Sequence, residues 1–224
     1  MTSRVLVPEI LDDLPAADPA AQHSRTDLRR LNALMGHATL IANELQQSSP
    51  LKRIADLGGG DGTLMLNVAR RLRAGDVKLT IVDRQNSMRS DAARRFAESR
   101  WQLSLSQGEV FEVLRRSGQF DAITANLFLH HFEDEPLGNL LAAVAERTNV
   151  FIACEPRRSR LALHASRSVG LIGCNHVTRH DAVVSVRAGF RGSELRALWP
   201  ERSGWRVEER AAGLFSHLFV ARKL

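Results

Sequence analysis

The sequence predicts an α/β protein built on a mostly parallel sheet that ends in an antiparallel hairpin. Three observations carry this. Apolar runs at 53–57, 77–82, 101–106, 120–125 and 149–154 alternate with stretches of helical periodicity, a pattern that demands a parallel sheet covered on both faces. The first run ends at Asp56 and passes through Gly58-Gly59-Gly60-Asp61-Gly62 into Leu64, Val68 and Leu72 at helical spacing. Such a turn uses backbone shapes that residues other than glycine resist, and it lets a ligand approach the main chain. The last two runs, 205–211 and 214–222, are separated only by a short turn around Gly213, so they pair as an antiparallel edge hairpin.

Taken in order, residues 1–23 are rich in Pro, Ala and Asp and read as a loose lead-in. Pro8, Glu9, Asp12 and Asp13 are unlike a signal peptide. Ser24–Asp27 has the form of a capping box. Leu28, Leu31, Met35, Ala38, Ile41 and Leu45 then predict one amphipathic helix to about residue 47, stopped by Ser48-Ser49-Pro50. Its polar face carries Arg25, Arg29, Arg30 and Asn32, which either meet solvent or close over a ligand on the glycine turn. Helices are expected at 63–73 and at 87–99, the latter with Met88, Ala92 and Phe96 on one side. Another begins near Pro136, where proline suits a first turn, and continues through Leu137, Leu140, Leu141 and Val144. A long polar and basic segment, 156–192, follows the fifth strand. A helix at 193–199, capped by Ser193 and stopped by Pro200, leads into the hairpin.

The 224 residues suffice for one large domain, or one domain with a cap. No apolar run approaches the roughly 18 residues of a membrane span, so a cytoplasmic protein is expected. Two cysteines, Cys154 and Cys174, make neither a disulfide framework nor a metal cluster, and no carboxylate–histidine spacing implies a metal. The charge is +6 and 28 of the 31 basic residues are arginine, which fits either a GC-rich genome or an anionic partner. No basic block is long enough to decide between them.

Asp56, Asp83, Glu109, Asn126 and Glu155 all fall at or just past the carboxyl ends of predicted strands. That is the rim where open α/β sheets bind ligands. Asp56-Leu57-Gly58-Gly59-Gly60-Asp61-Gly62, Asp83 ending strand two, Gly108-Glu109-Val110 after strand three, and the Leu129-His130-His131-Phe132 ending of strand four together resemble class I S-adenosylmethionine-dependent methyltransferases. No part alone is specific, because a glycine-rich turn followed by an acid also fits an NAD-binding Rossmann domain. The likeness covers about residues 51–224. It implies a Rossmann-like, mostly parallel seven-stranded sheet, a helical cap over residues 1–50, and a substrate lid inserted at about 156–192.

The resemblance implies S-adenosylmethionine as cofactor. Gly58, Gly60 and Gly62 would let the backbone approach its amino acid and ribose, and Asp56 would orient the loop or take the ammonium through a water. Asp83 would accept from the ribose diol, and Arg84 and Leu57 would flank the adenine. Glu109, standing where the family often has Asp, would lie near the adenine amino group beside the N–H of Val110. Asn126 would sit beside the sulfonium. His130 and His131 are the candidate bases for an oxygen acceptor, with local packing as the alternative. A narrower likeness, to methyltransferases of bacterial secondary metabolism such as those encoded beside type III polyketide synthases, makes Arg158, Arg160, Arg179, His180 and Asp181 candidate substrate contacts. The expected acceptor is a small phenolic or polyketide-like molecule, and the expected state a monomer or homodimer. A nucleic-acid methyltransferase is the weaker rival, because strand four lacks an Asn-Pro-Pro-Tyr ending and no RNA-binding module is evident. A non-catalytic cofactor-binding subunit is the other.

Overall fold

In the computed structural model, which describes residues 3–15, 17–48, 50–72, 75–88, 90–200 and 204–224, each predicted apolar run is a strand. These are β1 (Arg53–Leu57), β2 (Val77–Asp83), β3 (Trp101–Gln107), β4 (Phe120–Asn126), β5 (Thr148–Pro156), β6 (Trp205–Ala212) and β7 (Ser216–Lys223). Among the described residues they form one sheet in the order β3-β2-β1-β4-β5-β7-β6. The first five strands are parallel, and β7 lies antiparallel between β5 and β6. This is the Rossmann-like methyltransferase arrangement that the sequence predicts.

Alternation along each strand sorts the core into two layers. Ile54, Leu79, Ile81, Ile152 and Val220 face one side, and Leu57, Val82, Ile123, Phe151 and Phe219 the other. Ten helices are described: α1 (Ile10–Asp13), α2 (Pro19–Leu34), α3 (His37–Gln46), α4 (Thr63–Leu72), α5 (Ala92–Ala97), α6 (Val110–Arg116), α7 (Asp134–Arg147), α8 (Arg160–Arg167), α9 (His176–Ala188) and α10 (Glu194–Leu198). The first layer is covered by α3, α4 and α5 through Ile41, Leu45, Met65, Val68 and Phe96. The second is covered by α6, α7 and α10 through Leu114, Leu137, Leu141, Val144 and Leu195. Each of these fully buried side chains contributes about 1.5–3 kcal/mol, so the sheet is held from both faces.

The N-terminal region departs from the reading above. α2 starts at Pro19, with the Asp18 carboxylate accepting from Ala20 N and Ala21 N, so Ser24–Asp27 is not a capping box but lies inside the helix. There Ser24 and Asp27 are buried: Asp27 Oδ2 accepts from Asn175 N at 2.9 Å and Thr178 Oγ1 at 3.0 Å, and Thr178 Oγ1 bonds Ser24 Oγ at 2.9 Å. The single helix expected to residue 47 is two, because Gly36 adopts φ +70 and ends the first. The helix expected at 87–99 is shorter, and α6 was not expected. The predicted stop at Ser49 and helix end at Arg73 lie outside the described residues, as does Arg89.

The 156–192 insertion is largely helical: α8 and α9 flank a 3-10 turn, Val169–Ile172. α9 is tied to the chain's start. Val5 N donates to Arg187 O at 3.1 Å, and the buried Asp181 carboxylate accepts from Ile10 N and Leu11 N at 2.9 and 3.0 Å. Residues 5–13 thus form a strap under α9. Among the described residues no helix is long and apolar enough to cross a membrane.

Candidate active site

Strand order reverses between β1 and β4, and a cavity of about 760 Å³ opens at their carboxyl ends, where the divergence of the flanking connections leaves a crevice. The glycine turn, Asp83 and Asn126 line it from the sheet side. The strap and the polar face of α2 line it from above: Arg25, Leu28, Arg29 and Asn32 border the cavity rather than bulk solvent. Arg29 holds Asp61 of the turn at 2.7 Å, and Arg25 bonds Gln85 at 2.9 Å.

The turn is shaped by positive φ at Gly58 and Gly60. A Cβ on Gly58 would lie 2.4 Å from Phe128 Cδ2, whereas one on Gly60 would meet nothing within 4 Å. The first glycine therefore seals the turn against the next loop, and the second leaves open space above the backbone. Gly60 N donates to Asp83 Oδ2 at 2.9 Å and Gln85 N to Asp83 Oδ1 at 2.8 Å. Two backbone donors fix the carboxylate plane, and each oxygen keeps acceptor capacity toward the cavity.

Asp56 lies beneath this turn. Burial pushes its carboxyl up to about 7, against the lowering effect of Thr124 Oγ1, which donates to Oδ1 at 2.6 Å; the nearby Asp83 charge adds to the rise. The native form thus holds a proton that the unfolded chain has lost between about pH 3.8 and 7. Stability falls as pH rises through that window, by on the order of 4 kcal/mol in total. Asp56→Asn, which keeps an acceptor for Thr124, is expected to flatten this fall and to gain roughly 1–3 kcal/mol over the parent above pH 7. Urea unfolding at pH 5 and pH 8 measures it; identical pH profiles for parent and variant would remove the buried-acid account.

The end of β4 is strained. Leu127 has φ +51, unusual for a side chain of this size, and its N–H is held by Cys154 O at 3.0 Å. Neighbouring Asn126 donates from Nδ2 to Asn32 Oδ1 at 3.3 Å, while its own Oδ1 is buried and lacks a well-aligned donor. His37 faces it from α3; burial lowers that imidazole to about 4, so it stays neutral against Ser216 Oγ at 2.7 Å.

The 3-10 turn Leu129–His131 is organised by Glu155 at the end of β5, a fully buried carboxylate. Its Oε1 accepts from Phe128 N and Leu129 N at 3.0 and 2.9 Å, and its Oε2 is 2.7 Å from His130 Nδ1. His130 Nε2 meets Glu9 Oε1 of the strap at 3.2 Å. Burial alone would strip the proton from His130, but the bonds and charges of Glu155 and Glu9 outweigh it and raise the imidazole to about 9. The same contacts overcome burial at both glutamates and hold them below the usual carboxylate range. His130 is therefore an imidazolium, not a base, in this state. His131 is partly exposed, with Nδ1 3.3 Å from Asp12 Oδ2. Arg4 pins the strap by donating to Ala188 O, Phe132 O and Asp134.

Of the residues expected at a ligand, Asp56, Gly58, Gly60, Asp83, Arg84, Glu109, Val110, Asn126, His130 and His131 border the cavity. Leu57 does not: its side chain is in the second core layer. Gly62 does not either; its backbone accepts from Leu66 N at the start of α4, and a Cβ there would press on Met88. The five lid residues also lie off the cavity wall. Arg158 is buried, donating to Gly189 O and pairing with Glu194. Arg160 is exposed on α8, and Arg179 lies against Gly170. His180 and Asp181 do meet each other, Nδ1 to Oδ1 at 2.8 Å, although adjacent residues seldom do; Asp181 is committed to the strap. Glu9, Asp12 and the orienting role of Glu155 went unrecognised. A clue was at hand only for Glu155, which stands at the end of an apolar strand beside the same rim.

Residues 54–149 match the family described as a methyltransferase domain. No curated protein sequence matches the chain. Among solved structures, the plantazolicin methyltransferase BpumL, crystallised with SAH, superposes with a TM-score of 0.66 at 13% identity, covering 93% of this chain and 92% of that one. An O-methyltransferase family protein from Burkholderia thailandensis gives 0.60 at 16% identity over 93% of this chain. The mitomycin 7-O-methyltransferase MmcR gives 0.56 at 20% identity over 96%. The chain spans 61% and 60% of the length of those last two. With the geometry above, residues 54–149 are similar to a methyltransferase domain, and the chain shares the Rossmann-like fold of these solved methyltransferases.

Proposed function

We propose that the protein transfers a methyl group from S-adenosylmethionine to an oxygen of a small phenolic or polyketide-like acceptor. The observation that carries this is one cavity with two chemistries: an acidic and glycine-lined floor at one end, an apolar, histidine-bearing chamber at the other. The floor fits the cofactor. Asp83 has acceptor capacity left for a ribose diol, and Glu109 and the open start of α6 at Val110 suit an adenine edge. The space above Gly60 and the buried Oδ1 of Asn126 suit the amino acid end. The cofactor supplies an electrophilic methyl on a sulfonium.

The chain's own work is placement and proton handling. Leu6, Leu11, Phe128, Phe132 and Val184 wall the acceptor end, and Phe128 and Phe132 meet edge to face at 5.2 Å. Such walls suit a flat ring and exclude water. His131 faces the acceptor and promotes loss of its proton, while the protonated His130 holds the strap through Glu9. His131→Ala is therefore expected to lower turnover about 100-fold or more with cofactor affinity nearly unchanged. Full activity in that variant would return His131 to packing. Glu9, Asp12 and Glu133 line the histidine-bearing end, which suits a basic amine as the second acceptor class, while Arg25, Arg29 and Arg84 also border the cavity.

Calorimetric titration with S-adenosylmethionine and S-adenosylhomocysteine tests the first half. Phenol and amine panels read by mass spectrometry test the second. Absence of binding in folded protein would overturn the reading at its floor; binding with methylated amines alone would move the acceptor atom from oxygen to nitrogen.

A further inference from the structure

The strap and the 3-10 turn bring four metal-competent side chains to one wall of the cavity. Glu9, His130 and His131 each offer a ligand atom, and these atoms lie within 4.8 Å of one another. His130 Nε2 is 3.2 Å from Glu9 Oε1, and His131 Nδ1 is 3.3 Å from Asp12 Oδ2. Two ligands bound at about 2.0–2.1 Å to one tetrahedral ion stand about 3.3 Å apart, so the His130–Glu9 spacing matches a shared cation, with the His131–Asp12 pair beside it.

Orientation points the same way. His130 Nδ1 is fixed by buried Glu155 at 2.7 Å, which turns Nε2 toward the cluster, the carboxylate–histidine arrangement that positions metal-binding imidazoles. Ser185 Oγ donates to the same Glu9 oxygen that meets His130 and helps to fix that carboxylate. The two imidazole rings sit 4.3 Å apart, a crowding of two basic groups that a common ligand for both would explain.

We propose that Glu9, His130 and His131 form a binding site for a divalent transition-metal ion, which displaces the proton from His130 Nε2 on binding, with zinc the best match to two imidazoles and a carboxylate. The site stands on this geometry alone. Its use, polarising a hydroxyl of the acceptor held at the same wall, rests on the methyltransferase reading; with the ion bound, His131 would promote loss of the acceptor's proton through the metal it ligates.

The experiment is calorimetric titration of chelator-stripped full-length protein with zinc chloride. One equivalent should bind with a dissociation constant near or below about 1 µM. His131→Ala and Glu9→Gln should each weaken it at least about 10-fold, and His180→Ala, outside the cavity, should leave it unchanged. Circular dichroism checks that each variant is folded; His131, the more exposed ligand, keeps the test open if Glu9→Gln unfolds. No zinc binding by the parent, or equal binding by the parent and His131→Ala, overturns the proposal. S-adenosylhomocysteine titrated into the same metal-free samples separates the two readings: binding there without zinc binding would sink the metal site and leave the methyltransferase assignment standing.

Discussion

Asp83→Ala is expected to weaken S-adenosylhomocysteine binding by about 100-fold or more. A carboxylate that accepts two ribose hydroxyls makes two charge-assisted hydrogen bonds, each worth about 1.5–3 kcal/mol. The alanine variant also loses the acceptor for Gly60 N, so the turn that leaves room for the ligand is no longer held against β2. Folding stability should change little, because Asp83 is only half buried and its two backbone donors can turn to water. Calorimetry on parent and variant, with thermal unfolding alongside, separates these effects. Unchanged affinity would mean that the ribose lies elsewhere, and with it the orientation proposed for the whole cofactor.

Glu155→Ala should have the largest effect on stability. The carboxylate is fully buried, accepts from Phe128 N and Leu129 N, and opposes protonated His130. Removing it strands two backbone donors and leaves an imidazolium with Glu9 alone. Breaking a buried pair from one side costs about 3–5 kcal/mol. In a chain of this size that lowers the unfolding midpoint by roughly 10 °C. Glu155→Gln keeps an acceptor for the two N–H groups and should lose less. The pH dependence supplies a second readout. His130 is raised from its ordinary 6.5 to about 9, so its contribution is complete below about pH 6.5 and drains away as pH rises through 9. In Glu155→Gln that alkaline loss should shrink, and a parent protein equally stable at pH 6 and pH 10 would contradict the pairing.

The fold was legible because its signals are local. Arg53–Leu57 followed by a glycine run states strand, turn and helix within a dozen residues, and β6 and β7 announce their pairing by the short distance between them. The cofactor floor inherits that legibility, since Asp56, Gly58, Gly60 and Asp83 sit where strands end. What escaped depends on partners far along the chain. Glu9 meets His130 across 121 positions, and Asp27 meets Asn175 across 148, with no periodicity to betray either. Arg158 looked like a ligand contact because its partner Glu194 is 36 residues away. The break at Gly36 was masked by an apolar pattern, Leu31, Met35, Ala38 and Ile41, that keeps helical step straight through it.

That glycine divides the N-terminal region by purpose. On its far side, Ile41 and Leu45 are as much a part of the central core as the strands they cover. On its near side, Arg25, Arg29 and Asn32 belong to the ligand chamber. A single joint with no neighbouring atoms within 4 Å of its missing Cβ thus separates a helix packed on the sheet from one that turns a face to the cavity. The cavity face of α2 can be reshaped to admit a different guest, while its opposite face, where Ser24 and Asp27 are buried against Asn175 and Thr178, and the wall from His37 onward stay in place.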